Sequence, residues 1–304
     1  MPKVIDRHSI SIEGQDVEIT SPNKPLWPSK GITKLNYLQY LIEISPYLLP
    51  FLDNRILTVI RYPHGVGRES FYQKNCPDYA PKFVDTFNNE GVNYIVCSQL
   101  STLIWLGNQV AIDMHTPFNL ITSSNPSEIV LDLDPPSRED FNLAVEAALI
   151  LKEILDKLKL ISFVKTSGNK GLQLYIPLPD DIFTYDETRR FTEFLANYLI
   201  QREPNWFTIE RLKKNRGKRL YVDYLQHALG KTIVAPYSLR GNEEALVATP
   251  LFWNEVTHSL SPAQFPMESI IKRITSKGCP FKDFNKSKKR QHFKEVLLGL
   301  ESLV

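Results

Sequence analysis

Cysteine is scarce in this chain of 304 residues, and Cys76, Cys97 and Cys279 lie far apart. The paired ligands of zinc and redox sites are separated by only a few residues. We therefore expect reduced thiols with a structural role and no zinc site.

Long apolar runs are also lacking, and residues 1–8 contain no apolar secretory core. A membrane-spanning helix needs about 20 predominantly apolar residues, and a signal peptide needs an apolar segment of its own. We expect a soluble, intracellular protein without a membrane partner. Internal repeats and low-complexity segments are absent, so a hydrophobic content of 42% predicts an ordinary globular protein.

Net charge is small as well, at +2, and such a value does not by itself indicate a nucleic-acid partner. The local distribution is more informative, because residues 202–220 carry only two acids, Glu203 and Glu210. The cations of this basic loop are Arg202, Arg211, Lys213, Lys214, Arg216, Lys218 and Arg219. A solvated charge run is the simplest interpretation, but the loop directly precedes an acidic motif.

Two carboxylates, Asp132 and Asp134, lie two positions apart in the apolar run 128–136, which ends in two prolines. Strand alternation places both on one face, with apolar side chains behind them. Neighbouring carboxylates stay ionised when a cation lies between them, which favours a divalent-metal site. The alternative is a pair of strand-end aspartates that cap a turn before Pro135.

A third aspartate, Asp223, lies in the middle of a predicted strand, where aspartate is disfavoured. A metal ion would compensate for it, as would a salt bridge to an arginine of the basic loop. Between two other predicted strands lies Ser167-Gly168-Asn169-Lys170-Gly171, whose glycines, hydroxyl and ammonium suit a phosphate group. It lacks P-loop spacing, and alone it equally describes a plain hairpin turn.

Lys34 follows Thr33, a predicted N-cap, and so falls in the first turn of a predicted helix that Pro46 should interrupt. The helix dipole there favours anions, so a bound phosphate would explain the lysine. An exposed lysine tolerated at small cost explains it equally well. Basic and aromatic residues are interleaved at 68–74, a mixture that suits nucleic acid but also describes core aromatics beside surface charges.

Together, three carboxylates, a phosphate-type turn and a basic loop are what metal-dependent nucleotidyl transfer requires. A metal-dependent nuclease would use the aspartates but gives no role to Ser167 and Lys170.

The sequence resembles the archaeo-eukaryotic primase superfamily and, within it, the polymerase domain of the bacterial end-joining DNA ligase D. The segments that carry the resemblance keep their order along most of the chain. They are Asn23-Lys24, Ile32-Thr33-Lys34, Arg61-Tyr62-Pro63-His64-Gly65, Phe71-Tyr72-Gln73-Lys74, His115-Thr116-Pro117, Leu131-Asp132-Leu133-Asp134-Pro135, Thr166 to Gly171, Tyr221 to Gln226 and Tyr237-Ser238-Leu239-Arg240.

The resemblance implies an α+β fold, with a primase-like core of mainly antiparallel sheet flanked by helices and an N-terminal α/β lobe. We expect one domain over residues 1–304. Its approximate lobes are a DNA-end-binding lobe at 1–105, a catalytic core at 106–260 and a helical tail at 261–304.

The resemblance also assigns roles to individual residues. Asp132, Asp134 and Asp223 are expected to be catalytic and to hold two Mn²⁺ or Mg²⁺ ions. The incoming NTP or dNTP is expected to contact His115, Ser167, Lys170, Gln226 and Arg240. A DNA 5′-phosphate would bind Lys24 and Lys34, the template would stack on Phe71, and Lys213, Lys214 and Arg216 would handle the primer strand. A non-catalytic DNA-end-binding module would use Lys24, Lys34 and Phe71 but needs no acidic cluster.

Family members are DNA-end-processing polymerases that extend primer 3′-hydroxyls at gaps or double-strand breaks in non-homologous end joining and prefer ribonucleotides. Their partners are DNA ends with a 5′-phosphate, Ku and an ATP-dependent ligase domain on the same or a separate chain. The resemblance thus implies a protein of the bacterial cytoplasm, associated with the nucleoid.

This chain departs from the family at Gln173, where histidine is common. Glutamine can donate a neutral hydrogen bond but cannot become cationic, so the nucleotide contact there is in doubt. The Lys-x-Asp-Gly nucleophile motif of ATP-dependent ligases is absent, and we expect no nick sealing by this chain alone.

Overall fold

A six-stranded sheet carries the acidic motif. The structure is a computed structural model that describes residues 6–301 of the chain, with Glu301 as backbone only. The ends of the expected 1–304 domain, residues 1–5 and 302–304, lie outside the described residues. The strands are β1 Arg7–Ile12, β2 Gln15–Thr20, β3 Pro25–Trp27, β4 Ile32–Thr33, β5 Thr58–Arg61, β6 Phe71–Gln73, β7 Asp85–Asn89, β8 Val92–Val96, β9 Ala111–Pro117, β10 Glu128–Asp134, β11 Phe163–Thr166, β12 Leu172–Pro177, β13 Phe207–Thr208, β14 Leu220–Asp223, β15 Thr232–Val234 and β16 Pro250–Leu251.

Helices separate these strands along the chain. The α-helices are α1 Lys34–Leu52, α2 Leu100–Asn108, α3 Phe141–Lys157, α4 Tyr185–Arg202, α5 Lys213–Arg216, α6 Met267–Lys277, α7 Phe284–Ser287 and α8 Phe293–Glu301. Single 3₁₀ turns occupy Pro28–Lys30, Tyr224–Gln226, Trp253–Glu255, Pro262–Gln264 and Lys288–Arg290. None of the helices within residues 6–301 is both long and apolar enough to span a membrane.

The chain divides into two compact units. The first comprises the residues up to Thr116, Ile233–Ala248 and Phe265–Lys277. The second comprises Pro117–Thr232, Thr249–Gln264 and the residues from Gly278 onward.

The second unit is built on the six-stranded sheet, in the order β13-β14-β10-β12-β11-β16. All neighbouring strands run antiparallel except β13 and β14, which are parallel. Helices α3 and α4 pack against strands of this sheet. The predicted α+β fold is confirmed.

Strand β10 has the alternation that its sequence predicts. Leu131 and Leu133 are fully buried, whereas Asp132 and Asp134 are half-buried. Burial of each leucine contributes about 1.5–3 kcal/mol, so the apolar face fixes the register that turns both carboxylates the other way.

The first unit contains the four-stranded sheet β15-β9-β5-β6 and the helix that Thr33 caps. The predicted start of α1 is confirmed, because Thr33 Oγ1 accepts a hydrogen bond of 3.3 Å from the backbone N–H of Asn36. The predicted break at Pro46 is wrong, since α1 continues to Leu52. Proline removes the N–H that Ile42 O would accept, and the Ser45 hydroxyl supplies a donor to that carbonyl instead, at 2.8 Å.

Candidate active site

One row of side chains crosses four neighbouring strands of the second unit. Asp223 on β14 is opposite Asp132 on β10, Asp132 is opposite Gln173 on β12, and Gln173 is opposite Lys165 on β11. Directly opposite residues in antiparallel strands have their Cβ atoms about 4.5–5.5 Å apart. The register therefore brings Asp223 beside the Asp132 and Asp134 pair, with which the family resemblance grouped it.

Hydrogen bonds connect most of this row. Lys165 is fully buried, and its Nζ donates to Gln173 Oε1 at 2.6 Å. Gln173 Nε2 in turn donates to Asp132 Oδ1 at 3.0 Å. Because Lys165 carries only donors, it fixes which end of the amide faces it and leaves the NH₂ group for Asp132.

The pKa of Asp132 is raised to about 6, chiefly by burial and to a smaller extent by the charges of Asp134 and Asp223, while the Gln173 hydrogen bond and the charge of Lys165 oppose the rise. Three carboxylates thus compete for a limited supply of positive charge. A divalent cation would relieve their repulsion, and carboxylate oxygens are the ligands that Mg²⁺ and Mn²⁺ prefer. The donor chemistry fits the predicted ions.

The other two aspartates already have partners. Lys170 Nζ lies 3.0 Å from Asp134 Oδ1 and also donates to Pro135 O at 2.6 Å. Asp223 Oδ1 accepts from Tyr221 OH at 3.1 Å and from the Gln226 backbone N–H at 3.0 Å. No salt bridge from the basic loop to Asp223 is present among residues 6–301, so that alternative does not explain this carboxylate.

Within the described part of the chain, no group of three or more His, Cys, Asp or Glu side chains is already arranged to hold a metal. The metal assignment therefore stays a prediction. In this arrangement the ammonium group of Lys170 neutralises the charge of Asp134.

The predicted phosphate turn lies directly against β10. Ser167 Oγ accepts from the backbone N–H groups of Gly171 at 3.0 Å and Asn169 at 3.3 Å, and Gly168 has a positive φ of 69°. A Cβ atom at Gly171 would lie 2.3 Å from Leu133 O, so only glycine permits this approach. The close contact is what brings Lys170 to Asp134.

In the basic loop, the side chains of Arg216 and Arg219 donate to backbone carbonyls of the loop itself. Arg216 lies over the ring of Tyr221 at 3.8 Å from its centroid, and its Nε donates to Glu210 O at 2.8 Å. Lys213 and Lys214 are exposed. Gln226, a predicted nucleotide contact in the 3₁₀ turn after β14, donates from Nε2 to Thr232 O at 2.8 Å.

The remaining predicted nucleotide contacts, His115 and Arg240, belong to the first unit. His115 is half-buried on β9, opposite Thr58 of β5. Arg240 Nε forms an ion pair of 2.8 Å with Asp113 Oδ1, and Asp113 is almost fully buried. Asp113 Oδ2 also accepts from Tyr62 OH at 2.9 Å and from the Gly241 N–H at 3.0 Å.

Sequence reasoning missed Asp113 as a partner of Arg240. The available signal was a carboxylate two positions before His115 in an apolar strand, where a buried charge requires a partner. The identity of that partner, 127 positions along the chain, could not be obtained from strand periodicity.

Lys34 and Lys24, the predicted 5′-phosphate ligands, both lie in the first unit. Lys34 is 3% exposed, so the exposed-lysine interpretation is wrong. Its Nζ donates to Thr20 O at 2.6 Å and to Asn108 O at 3.0 Å, while Lys24 Nζ donates to Pro63 O. The pKa of Lys34 is lowered to about 8, chiefly by burial and to a smaller extent by the charges of Lys24 and Arg61.

Phe71 begins β6 and is 46% exposed, as an aromatic side chain available for stacking must be. The Arg61 guanidinium lies 5.4 Å from the centroid of its ring. Tyr72 is 72% exposed as well, so the aromatic side chains at 68–74 are surface residues and not core aromatics.

Comparison with known proteins identifies the family. Residues 33–281 match the family model described as LigD, primase-polymerase domain. The chain is 53% identical over 295 residues to the bifunctional non-homologous end joining protein LigD of Bacillus subtilis, covering 97% of this chain and 48% of that protein. It is 30% identical over 258 residues to the multifunctional LigD of Mycolicibacterium smegmatis, covering 82% of this chain and 34% of that protein.

The chain thus spans about half the length of the first of these relatives, 48%, and 34% of the length of the second. Among solved structures, the polymerase domain of Mycobacterium tuberculosis Ligase D in complex with DNA matches with a TM-score of 0.81 and 28% identity. The match covers 88% of this chain and 97% of that one.

The family-model match over most of the chain and the 53% identity confirm the resemblance seen in the motifs. This chain belongs to the LigD primase-polymerase domain family.

Proposed function

We propose that this chain is a metal-dependent nucleotidyltransferase that extends primer 3′-hydroxyls at gaps or double-strand breaks in DNA during non-homologous end joining. The observation that carries the proposal is the position of the Ser167–Gly171 turn against β10, beside the opposed pair Asp132 and Asp223. A nuclease needs the carboxylates alone, whereas a phosphate-binding turn next to them suits a nucleoside triphosphate. Membership of the family supports the same activity.

Asp132, Asp134 and Asp223 would hold Mn²⁺ or Mg²⁺, which when bound would lower the pKa of the attacking 3′-hydroxyl and neutralise charge on the leaving pyrophosphate. Gln173 holds Asp132 in one orientation through its amide. This preorganisation means that the carboxylate need not reorient when the substrates bind.

Lys170 has two partners in this mechanism. Its ammonium group neutralises Asp134 in this structure and would contact the triphosphate of a bound nucleotide. Ser167 contributes a hydroxyl from the same turn. His115, Gln226 and Arg240 complete the proposed nucleotide contacts, and Asp113 keeps the Arg240 guanidinium in a defined orientation.

DNA ends are proposed to bind through the first unit. Lys24 and Arg61 are close enough to Lys34 to lower its pKa. Such a cluster of three cations suits a 5′-phosphate. Phe71 would stack on the template. Ku and an ATP-dependent ligase domain are the proposed partners in the bacterial cytoplasm, at the nucleoid, and ribonucleotides are the proposed preferred substrates.

The test is extension of a gapped duplex that bears a 5′-phosphate. Labelled NTPs and dNTPs are supplied separately, with Mn²⁺, with Mg²⁺ or with a chelator, and Asp132→Ala is the matched variant. We expect metal-dependent addition that the variant lacks, at unchanged DNA affinity. Loss of labelled DNA ends without addition would favour a nuclease, and tight binding without either reaction would favour an end-binding module.

A further inference from the structure

The C-terminal part of the second unit carries a separate concentration of positive charge. Residues 282–294 contain six lysines and arginines and one acid, so the net charge of +2 comes from this segment and the rest of the chain is net negative. The densest part is 286–290, the end of α7 and the 3₁₀ turn after it, which we name the tail turn. Its cations are Lys286, Lys288, Lys289 and Arg290.

Aromatic packing fixes the place of the tail turn on the sheet. The ring of Phe284, in α7, has its centroid 5.2 Å from that of Phe163 on β11 and 6.1 Å from that of Tyr175 on β12. Phe163 and Tyr175 are directly opposite each other. They lie two residues along their strands from Lys165 and Gln173, which belong to the row of side chains that crosses the candidate site. Strand alternation therefore puts this aromatic cluster on the same face of the sheet as the carboxylates.

The distance from the tail turn to the candidate site is short on the scale of a DNA duplex. Lys288 Nζ forms an ion pair of 2.6 Å with Asp180 Oδ1, and Asp180 is seven residues after Gln173. Seven residues span at most about 25 Å, whereas one turn of B-form DNA advances about 34 Å. A duplex with its 3′ end at the carboxylates thus covers the distance within about one turn.

The tail turn is anchored on both sides, and two of its cations face solvent between the anchors. Lys288 is held by its ion pair on one side. On the other side, the Gln291 amide donates to Ile161 O at 2.7 Å and accepts from the Ile161 N–H at 2.9 Å. Lys289 and Arg290 are exposed, and within the described residues neither has a carboxylate at ion-pair distance. Cations that the fold has already ordered lose less conformational freedom on binding than a flexible tail does.

We propose that the tail turn binds backbone phosphates of the DNA duplex behind the primer 3′-hydroxyl, through Lys289 and Arg290. The inference rests on the proposed function, because that function places the 3′-hydroxyl at the carboxylates on this face of the sheet. It gives a DNA contact to the helical tail, to which the sequence assigned no role.

A phosphodiester backbone suits the tail turn better than an acidic protein segment does. Both strands of a duplex together carry one negative charge per about 1.7 Å of helix axis, so two adjacent exposed cations meet phosphates in any sequence. Protein interfaces gain most of their binding energy from a few large side chains that are buried in the complex. No large hydrophobic side chain is exposed at 279–292, so an acidic protein segment would find charge there but no apolar anchor.

The test compares two double variants of the full chain. Lys289→Ala with Arg290→Ala removes two charges from the tail turn, and Arg189→Ala with Arg190→Ala removes two charges from adjacent exposed positions on α4. Two DNAs share one template strand and one downstream duplex with a 5′-phosphate, but only one of them carries an annealed primer. Fluorescence anisotropy gives the Kd over a series of salt concentrations, and urea denaturation checks that each variant is folded.

We expect the tail-turn variant to bind the primer-bearing DNA about tenfold more weakly at about 0.1 M salt. Each phosphate contact contributes about 0.9 to the slope of log affinity against log salt, so the slope should become less steep by about 2. The primer-free DNA should bind as it does to the parent, and the α4 variant should bind both DNAs as the parent does. Lys289→Arg with Arg290→Lys keeps both charges and should keep the parent affinity.

Three outcomes would overturn the proposal: unchanged affinity of the tail-turn variant for the primer-bearing DNA, an equal loss for both DNAs, or an equal loss in the α4 variant. Because anisotropy needs no turnover, the two proposals separate. A primer-dependent loss of affinity in a chain that adds no nucleotide would keep the DNA contact and remove the proposed function. Nucleotide addition with unchanged affinity of the tail-turn variant would do the reverse.

Discussion

The ammonium group of Lys165 donates a hydrogen bond of 2.6 Å to Gln173 Oε1, from the directly opposite position of the neighbouring strand. The buried lysine thereby aims the amide NH₂ of Gln173 at Asp132. A residue that cannot be protonated therefore donates to the carboxylate at every pH. This is a physical role for the glutamine that replaces the histidine common in the family.

Replacement of Gln173 by leucine should raise the pKa of Asp132 above its value of about 6. Protons compete with metal for this carboxylate, so Mn²⁺ affinity falls as the pH drops through that pKa. We expect the fall to begin about one pH unit higher in Gln173→Leu, because a hydrogen bond to a charged group contributes about 1.5–3 kcal/mol. Titration of Mn²⁺ from pH 5 to 8 measures it.

The matched control is Gln173→His, which keeps a donor towards Asp132. It should follow the parent profile at neutral pH. An unchanged profile in Gln173→Leu would show that the hydrogen bond has no influence on the metal site.

The affinity for a 5′-phosphate should depend on pH through Lys34. Its pKa of about 8 means that the ammonium loses its proton between pH 7 and 9 in the free protein. We expect 5′-phosphate-dependent binding of gapped DNA to weaken by up to about tenfold at pH 9, one unit above the pKa. Anisotropy with a 5′-phosphate and a 5′-hydroxyl duplex isolates the effect, and a parallel decline for both would contradict it.

Arg240→Met should destabilise the protein, because it leaves Asp113 as a buried carboxylate without its cation. We expect a loss of about 3 kcal/mol in the free energy of unfolding at pH 7, measured by urea denaturation. Burial already raises the pKa of Asp113, and loss of Arg240 would raise it further. A folded-state pKa above the unfolded value favours the folded state as pH falls, so the deficit should be smaller at pH 5.

Exposed Lys231 provides the control, since Lys231→Met also removes one cation. If both variants lose equal stability, the Asp113 pair contributes nothing. If only Arg240→Met loses stability, the Asp113 pair stabilises the fold. The nucleotide-addition activity of Arg240→Met must then be compared with that of the parent at equal fractions of folded protein.

Phe71→Ala should weaken binding of gapped DNA with little change in stability, because its ring is 46% exposed. Stacking of one base on an aromatic ring contributes about 1–3 kcal/mol, so we expect about a tenfold increase in Kd. Leu298→Ala, at a residue 58% exposed on α8, serves as the control for a lost surface hydrophobe. Equal affinities for Phe71→Ala and the parent would remove Phe71 from the DNA surface.

Local patterns predicted those parts of the site that a single element determines. Alternation placed Asp132 and Asp134 on one face of β10, and the Thr33 cap placed Lys34 at the start of α1. The partners of these residues depend on strand register and chain crossings instead. The buried ammonium group of Lys34 donates to Asn108, 74 positions away, and sequence periodicity does not predict that contact.

The same limit applies to Gln173, whose neighbour Lys165 was in the sequence but not in the predicted site. Pairing of the two requires the register of β11 against β12, which the intervening turn sets. The wrong break at Pro46 has a different origin. Proline removes one N–H donor from the helix, and the hydroxyl of Ser45 replaces that donor locally.

Gly171 gives the site a fixed internal spacing. The backbone of the turn rests on the Leu133 carbonyl with no side chain between them, so repacking of neighbouring residues cannot lengthen or shorten the gap. The separation between the lysine proposed to contact phosphate and the carboxylates proposed to hold metal is therefore determined by two main chains. A substitution at Lys170 can change the length of its side chain, but the distance between the backbone of the turn and that of β10 stays the same.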